Sequence, residues 1–458
     1  LANNKNFKLR IITVNKKMLW ALPISLLLVS CTQSPKESPK AATLTSPTAS
    51  PTVVTVPKVT LEKTESGFKI YRDGKPYFIR GGGYNGGSLD ILASSGGNSL
   101  RTWSTDDAGK ILDEAQSRGL TVMLGISLGI ERHGFSYDDQ AAINAQKEKV
   151  RAQVLRYKDH PALLAWGLGN ELDLFYKNTN VWYAVEDLAK MVQELDSNHL
   201  VTTVVAGVAP EKIKLIKERV PSIDYLSVNV YGDLGKLPQD LLDMGWQGAY
   251  AVTEWGPTGH WEIAKTKWNA PIEQTSTEKS HSYRERYESG ILSAPDRSLG
   301  SYAFLWGQKQ ETTPTWYGLF LESGETTEVV DSLQFLWTGN WPEHRAPSIN
   351  SFLIDGKKAA ESIYLTANKT YRVKLDATHP NNEPFSIRWE ILPESTDLGA
   401  GGDHESRPKP LEGLVATAAG SGIVTLTAPS KTGAYRLFVY VTTSSKKAAV
   451  ANVPFFVR

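Results

Sequence analysis

Between residues 68 and 340, short β-branched or aromatic runs alternate with helical stretches, and the alternation repeats eight times. Strands are expected at 77–80, 99–103, 121–127, 163–167, 201–205, 225–230, 250–253 and 301–305. Helices are expected at 107–118, 141–158, 181–195, 210–218, 238–244, 280–293 and 328–337, with only a short one after the first strand. Val185, Leu188, Ala189, Val192 and Leu195 have the three-and-four spacing of a helix with one apolar face. Eight βα units in roughly 270 residues match a (β/α)8 (TIM) barrel, placed here at 59–345. A doubly wound open sheet is the competing arrangement.

Gly81-Gly82-Gly83-Tyr84-Asn85-Gly86 satisfies GxGxxG directly after the first strand. A dinucleotide site needs a long helix at the third glycine and an acid ending the next strand. Here the helix is short and the next strand ends Arg101-Thr-Trp103-Ser, so the run is expected to be a turn at the barrel rim.

Residues 346–458 contain no helical pattern, only alternating strands, among them 370–375, 385–391, 422–427 and 434–442, with Gly and Pro turns between. This predicts a C-terminal β-sandwich of immunoglobulin or fibronectin type, with Trp389 in its core. Residues 399–410 read as an exposed loop, and the domain carries no catalytic set.

The formal charge of +1 over 458 residues conceals an asymmetry. Residues 1–30 hold Lys5, Lys8, Arg10, Lys16 and Lys17 and no acid, so the remainder is mildly acidic. That balance gives no reason to expect nucleic acid as a partner. Lys16-Lys17 precedes a dozen apolar residues that stop at Ser30-Cys31, the pattern of a secretory signal, shorter than the ~20 residues a membrane span needs. Leu28-Val29-Ser30-Cys31 resembles the bacterial lipobox, which implies lipidation of Cys31 and an exported protein anchored to a membrane, facing the periplasm or cell surface. Residues 32–57 hold five Pro and ten Ser/Thr and read as a tether.

In a barrel of this kind chemistry sits at the C-terminal ends of the strands. The fourth strand ends Leu168-Gly-Asn170-Glu171 and the seventh Thr253-Glu254-Trp255, each a carboxylate after an apolar run. A charge there is costly unless it has a task or a partner. Strands four and seven face each other across the mouth, a geometry suited to the ~5–5.5 Å carboxyl separation of a retaining glycosidase. His133 after strand three, and His260 and Trp261 after strand seven, are candidates to line the same mouth. Eleven of thirteen Trp fall between residues 103 and 341, which suits a sugar ligand, although Trp166 and Trp182 read as core. No HxxxH-type spacing occurs among the eight His, so neither a metal nor a cofactor is expected.

Asn170-Glu171 and Glu254 in this order resemble the signature of glycoside hydrolase clan A, retaining enzymes on (β/α)8 barrels. The resemblance implies Glu171 as acid/base, Glu254 as nucleophile and Asn170 as donor to the sugar 2-hydroxyl. It also implies Arg101 and Tyr231 as partners of the nucleophile and Trp306 as the floor of the −1 subsite. Tyr84 and Trp255 are further candidates to bind substrate. The opening Gly67-Phe-Lys-Ile-Tyr-Arg-Asp-Gly-Lys-Pro-Tyr-Phe-Ile-Arg80-Gly is similar to the start of the catalytic domain in families 2 and 72. The latter are β-1,3-glucanosyltransferases, which points to a β-glucan and to hydrolysis or transglycosylation. The alternative is a surface glycan-binding lipoprotein that has lost catalysis.

Overall fold

A computed structural model describes residues 55–416 and 422–458. The segment read as an export signal, Cys31 and most of the expected tether lie outside them. Among the described residues no helix is long and apolar enough to cross a membrane.

Eight parallel strands close into a barrel: β1 (Ile79–Asn85), β2 (Ser99–Arg101), β3 (Thr121–Ile126), β4 (Leu163–Leu168), β5 (Leu200–Ala206), β6 (Tyr225–Asn229), β7 (Tyr250–Trp255) and β8 (Ser298–Gly307). Around it run α1 (Leu89–Ser94), α2 (Ala108–Ser117), α3 (Gln140–Tyr157), α4 (Val181–Leu195), α5 (Pro210–Arg219), α6 (Leu237–Asp243), α7 (Ser276–Arg286) and α8 (Glu328–Thr338). On α4, Val185, Leu188, Ala189 and Val192 are buried against the strands as their spacing predicts. Helix α7 starts earlier than expected because Thr275 and Glu278 form a capping box, and its end continues as a π-helical turn, Tyr287–Leu292.

The glycine run is strand rather than turn, which corrects the expectation of a rim turn. Gly81, Gly82 and Gly83 lie in β1, and aromatic rings occupy the space beside them. A Cβ at Gly81 would sit 2.3 Å from Tyr302 Cδ1, one at Gly82 2.8 Å from Trp306 Cβ, and one at Gly83 2.9 Å from Trp103 Cη2. Only Gly86, with φ of +80°, uses the left-handed region in that stretch.

An antiparallel sheet of Val59–Thr64, Gly67–Arg72 and Lys75–Tyr77 precedes the barrel. Its Val59 and Ile70 join Ile79, Leu164, Leu200 and Leu299 in one apolar cluster. All four of these barrel residues start or nearly start their strands, so the sheet plugs the N-terminal end and leaves the C-terminal end as the mouth.

The C-terminal residues form two sheets. One pairs Phe385–Pro393, Gly433–Thr443 and Lys447–Val457, with Ile363–Leu365 and Thr326–Thr327 both added in parallel to the last. The other orders Ser348–Ile354, Thr370–Thr378, Ile423–Thr427 and Val415–Ala416. Ile349, Phe352, Val373 and Val424 from one, and Leu437, Val439, Val453 and Phe455 from the other, share a single core. Trp389 is partly buried against it, 5.7 Å from Phe352.

This β-body is welded to the barrel by buried charges. Asp331 of α8 accepts from Lys447 Nζ at 2.6 Å and from Ala346 N at 2.6 Å. Glu273 accepts from Lys279 Nζ at 2.6 Å and from Asn452 Nδ2 at 2.5 Å. Breaking a buried pair costs about 3–5 kcal/mol, because the remaining charge has neither water nor a partner. A chain ending at residue 345 is therefore expected to melt at least about 10 °C below the full chain. Circular dichroism checks this, and equal melting temperatures would show an independent barrel.

Candidate active site

Strict alternation would point Glu254 to the same side as Tyr250 and Val252, which pack beneath the helices. The pairing of β6 with β7 shifts register between Val252 and Glu254, and this irregularity lets the carboxylate enter the mouth. Glu254 is 6% exposed and every contact it receives is from a donor. Arg101 Nη1 lies 3.0 Å and Trp103 Nε1 2.7 Å from Oε1, and Tyr231 OH lies 2.9 Å from Oε2. Arginine and indole N–H groups can only donate, so both carboxyl oxygens of Glu254 are placed as acceptors.

Glu171 reaches the mouth differently. Gly169 turns the chain with φ of +72°, and Glu171 itself sits at φ +48°, pinned by a bond from its N–H to Val204 O at 3.0 Å. A non-glycine residue held in the left-handed region stores strain, and such residues cluster at functional sites. Burial, and then the charge of Glu254, push the Glu171 carboxyl up to about 7. Among the described residues its one side-chain donor is Asn229 Nδ2, at 2.9 Å from Oε1.

Arg101 and Asn229 join the two carboxylates into one network. Arg101 Nη1 also donates to Thr253 O at 2.7 Å and Asn229 Oδ1 at 3.2 Å, while Nη2 donates to Asn170 Oδ1 at 2.5 Å. Asn229 Nδ2 donates to Asn170 Oδ1 at 3.2 Å, and Thr253 Oγ1 donates to Asn229 Oδ1 at 2.9 Å. With its oxygen engaged twice, Asn170 has its amide nitrogen to offer a ligand.

Aromatic side chains surround this network. Phe304 meets Trp103 at 5.8 Å, Tyr231 at 6.0 Å and Tyr317 at 5.4 Å. Trp261, 54% exposed, stands edge-on to Tyr231 at 5.5 Å and to His260 at 4.9 Å. Burial, Lys265 and Lys309 push His260 down to about 4, so it is neutral at neutral pH. Glu311 is raised by burial and by Glu254, and Lys309 Nζ holds it at 2.8 Å.

Four expectations are corrected. Trp306 is fully buried in the helix layer, with Nε1 on Ser88 O at 2.9 Å and its ring 5.4 Å from Phe320. The pairing of β8 with β1 shifts register between Ala303 and Trp306, so Phe304 faces the site in its place. Trp255 is also fully buried, packed on Tyr283 and Tyr287 at 4.9 and 5.7 Å. Tyr84 packs against the barrel's outer core, where Glu114 and Arg118 are the charges acting on its hydroxyl. His133 Nε2 lies 3.1 Å from Asp403 Oδ2 and belongs to the contact with the β-body.

Trp103, Asn229, Phe304, Tyr317 and Glu311 are site residues that the sequence reading does not pick out. Asn229 carries a usable signal, a polar residue ending a buried strand, the same one that marks both glutamates.

The glycosyl hydrolases family 2 TIM barrel domain matches residues 102–244, a stretch that holds Asn170, Glu171, Asn229 and Tyr231 and stops before Glu254. A probable mannan endo-1,4-beta-mannosidase C of Aspergillus terreus is 24% identical in a 178-residue alignment that covers 30% of this chain and 43% of that one. Mannan endo-1,4-beta-mannosidase F of Aspergillus clavatus is 34% identical over 84 residues, 17% of this chain and 19% of that one. The chain thus spans less than half the length of these curated relatives. Among solved structures, the Dictyoglomus thermophilum beta-D-glucuronidase has a TM-score of 0.49 at 17% identity, over 63% of this chain and 54% of that one. From just after β2 through α6, the chain is similar to the glycosyl hydrolases family 2 TIM barrel domain.

Proposed function

We propose that the protein is a retaining β-glycoside hydrolase or transglycosylase working by double displacement. The observation that carries this reading is one network holding two carboxylates in opposite surroundings. Glu254 is ringed by donors, and Glu171 is pushed up to about 7 by burial and by its partner. Carboxyl groups whose environments diverge in this way take the roles of base and acid.

Glu254 attacks the anomeric carbon while Glu171 gives its proton to the departing oxygen, and a glycosyl ester forms as the glycosidic bond breaks. Glu171, now ionised, takes a proton from water or a sugar hydroxyl, which displaces Glu254 and closes the cycle. Arg101, Trp103 and Tyr231 hold the nucleophile, Asn170 offers its amide to the 2-hydroxyl, and Trp261 gives a sugar ring an aromatic face.

The resemblance to family 72 supports a β-glucan as substrate. A β-1,4-linked mannan is the second candidate, supported by the similarity to the two mannan endo-1,4-beta-mannosidases. The alternative of a binding protein without catalysis is disfavoured by the intact pair of glutamates and its donors. The lipobox-like segment supports export and anchoring through Cys31, and the shared core of two sheets supports an immunoglobulin-like body. A panel of soluble β-glucans, mannans and galactans, combined with labelling by cyclophellitol-type epoxides, tests the function. Release of sugar and an adduct on Glu254 are expected, whereas glycan binding with neither would favour the non-catalytic alternative.

A further inference from the structure

The loop at residues 397–407 belongs to the β-body by chain position, and its sequence reads as exposed linker. In the folded chain it lies on the barrel mouth. Asp403 accepts from Arg132 Nη2 at 3.1 Å and contacts His133 Nε2 at 3.1 Å, both in the connection after β3. Gly402 O accepts from Lys309 Nζ at 2.8 Å, and Thr312 N donates to Glu405 Oε2 at 2.6 Å, both in the connection after β8. Glu405 is 4% exposed, and its other oxygen takes Gly399 N at 3.0 Å, so one buried carboxylate both folds the loop and fastens it. Gly401 sits in the left-handed region at φ +59°, and a Cβ there would lie 2.5 Å from Leu174 Cδ2, so a larger side chain must push Leu174 aside.

These anchors are close to the chemistry. Leu174 N donates to Glu171 O at 3.0 Å, so the loop's tip rests on the turn that begins at the proposed acid. On the other side, Lys309 clasps Gly402 O and also Glu311, whose carboxyl senses both Glu254 and Glu405. The loop thus ties the connections after β3 and β4 to the one after β8. Strands β1 and β2 lie between them in the closed barrel, and their own connections, 86–88 and 102–107, are short.

We propose that residues 397–407 form an end wall of the substrate cleft, so that the protein cleaves at the end of a glycan chain and the β-body sets this specificity. The proposal rests on the glycosidase reading above. A polymer passing through the cleft would have to cross a strap fixed on both sides, whereas a chain end can abut it. The backbone carbonyls and glycines of the strap suit an uncharged sugar, because Arg132 and Lys309 already have anionic partners in Asp403 and Glu311.

The test uses the full chain with laminarihexaose and mannohexaose, each fluorescently labelled at the reducing end. Wild type is expected to shorten the hexasaccharide from one end. Asp403→Ala, which frees the strap from the connection after β3 while its ties to Lys309 and Thr312 remain, and Gly401→Val, which displaces the tip, should each raise the fraction of internal cuts at least about fivefold. Internal cutting by wild type, or an unchanged pattern in both variants with unchanged melting temperatures, would overturn the proposal alone. Cleavage of neither hexasaccharide, together with no epoxide adduct on Glu254, would overturn the glycosidase reading and this proposal with it.

Discussion

Replacing Glu254 by Gln is expected to lower kcat/KM by about 10⁴-fold or more, some 5.5 kcal/mol of transition-state stabilisation. An amide retains most of the shape and one acceptor oxygen, so Trp103 and Tyr231 can keep partners, but it is too weak a nucleophile to form the glycosyl ester. The same change removes the anion opposite Arg101, which is 1% exposed. A buried cation without its counter-charge is costly, about 3–5 kcal/mol when a close pair is broken. The variant should therefore melt below wild type as well as lose activity. Activity within tenfold of wild type on an aryl glycoside would remove Glu254 from the mechanism.

The Glu171 variant should behave differently, and the difference identifies its role. A general acid matters in proportion to how poorly the leaving group departs. Glu171→Gln is expected to cost about 10²–10⁴-fold on a glycan, where the leaving group is a sugar alkoxide. With a dinitrophenyl glycoside, whose leaving group needs no proton, formation of the glycosyl ester should slow by less than about tenfold. The pH profile gives a second readout. The acid must be protonated, and burial with Glu254 raises its pKa to about 7, so kcat/KM should fall about tenfold per pH unit above 7. Glu171→Gln should abolish that limb. Equal losses with both leaving groups, or an alkaline limb unchanged in the variant, would exclude Glu171 as the acid.

Stability is linked to the same proton. A carboxyl whose folded pKa lies near 7 and whose ordinary value is 4.5 favours folding below pH 4.5 and loses that contribution as pH rises through 7. The Gln variant has no charge to bury. Relative to wild type it should gain on the order of 2 kcal/mol between pH 4 and pH 8, allowing for the residue's partial exposure.

The barrel was legible because its strands are buried on both sides and so appear as apolar runs, eight times over. Both glutamates stood out for a related reason: a charge at the end of such a run needs a partner or a task, and Glu171 and Glu254 have partners in Asn229 and in Arg101, Trp103 and Tyr231. What escaped the sequence was set by register and by distant contacts. Trp306 and Phe304 are two residues apart, and only the irregular pairing of β8 with β1 decides which enters the site. Gly81, Gly82 and Gly83 read as a turn because the rings that need the missing Cβ atoms come from positions as far away as 302 and 306. The strap at 397–407 is rich in glycine and charge, like many exposed loops, and its partners at 132, 174, 309 and 312 lie far off in the chain.

The central claim is a double displacement through Glu254, and the configuration of the first-formed product tests it most directly. Hydrolysis of a β-linked oligosaccharide, followed by ¹H NMR before mutarotation sets in, should show the β anomer appearing first and the α anomer growing slowly afterwards. An initial α product would mean that water attacks directly, and the pair of glutamates would then have to be reassigned to an inverting mechanism.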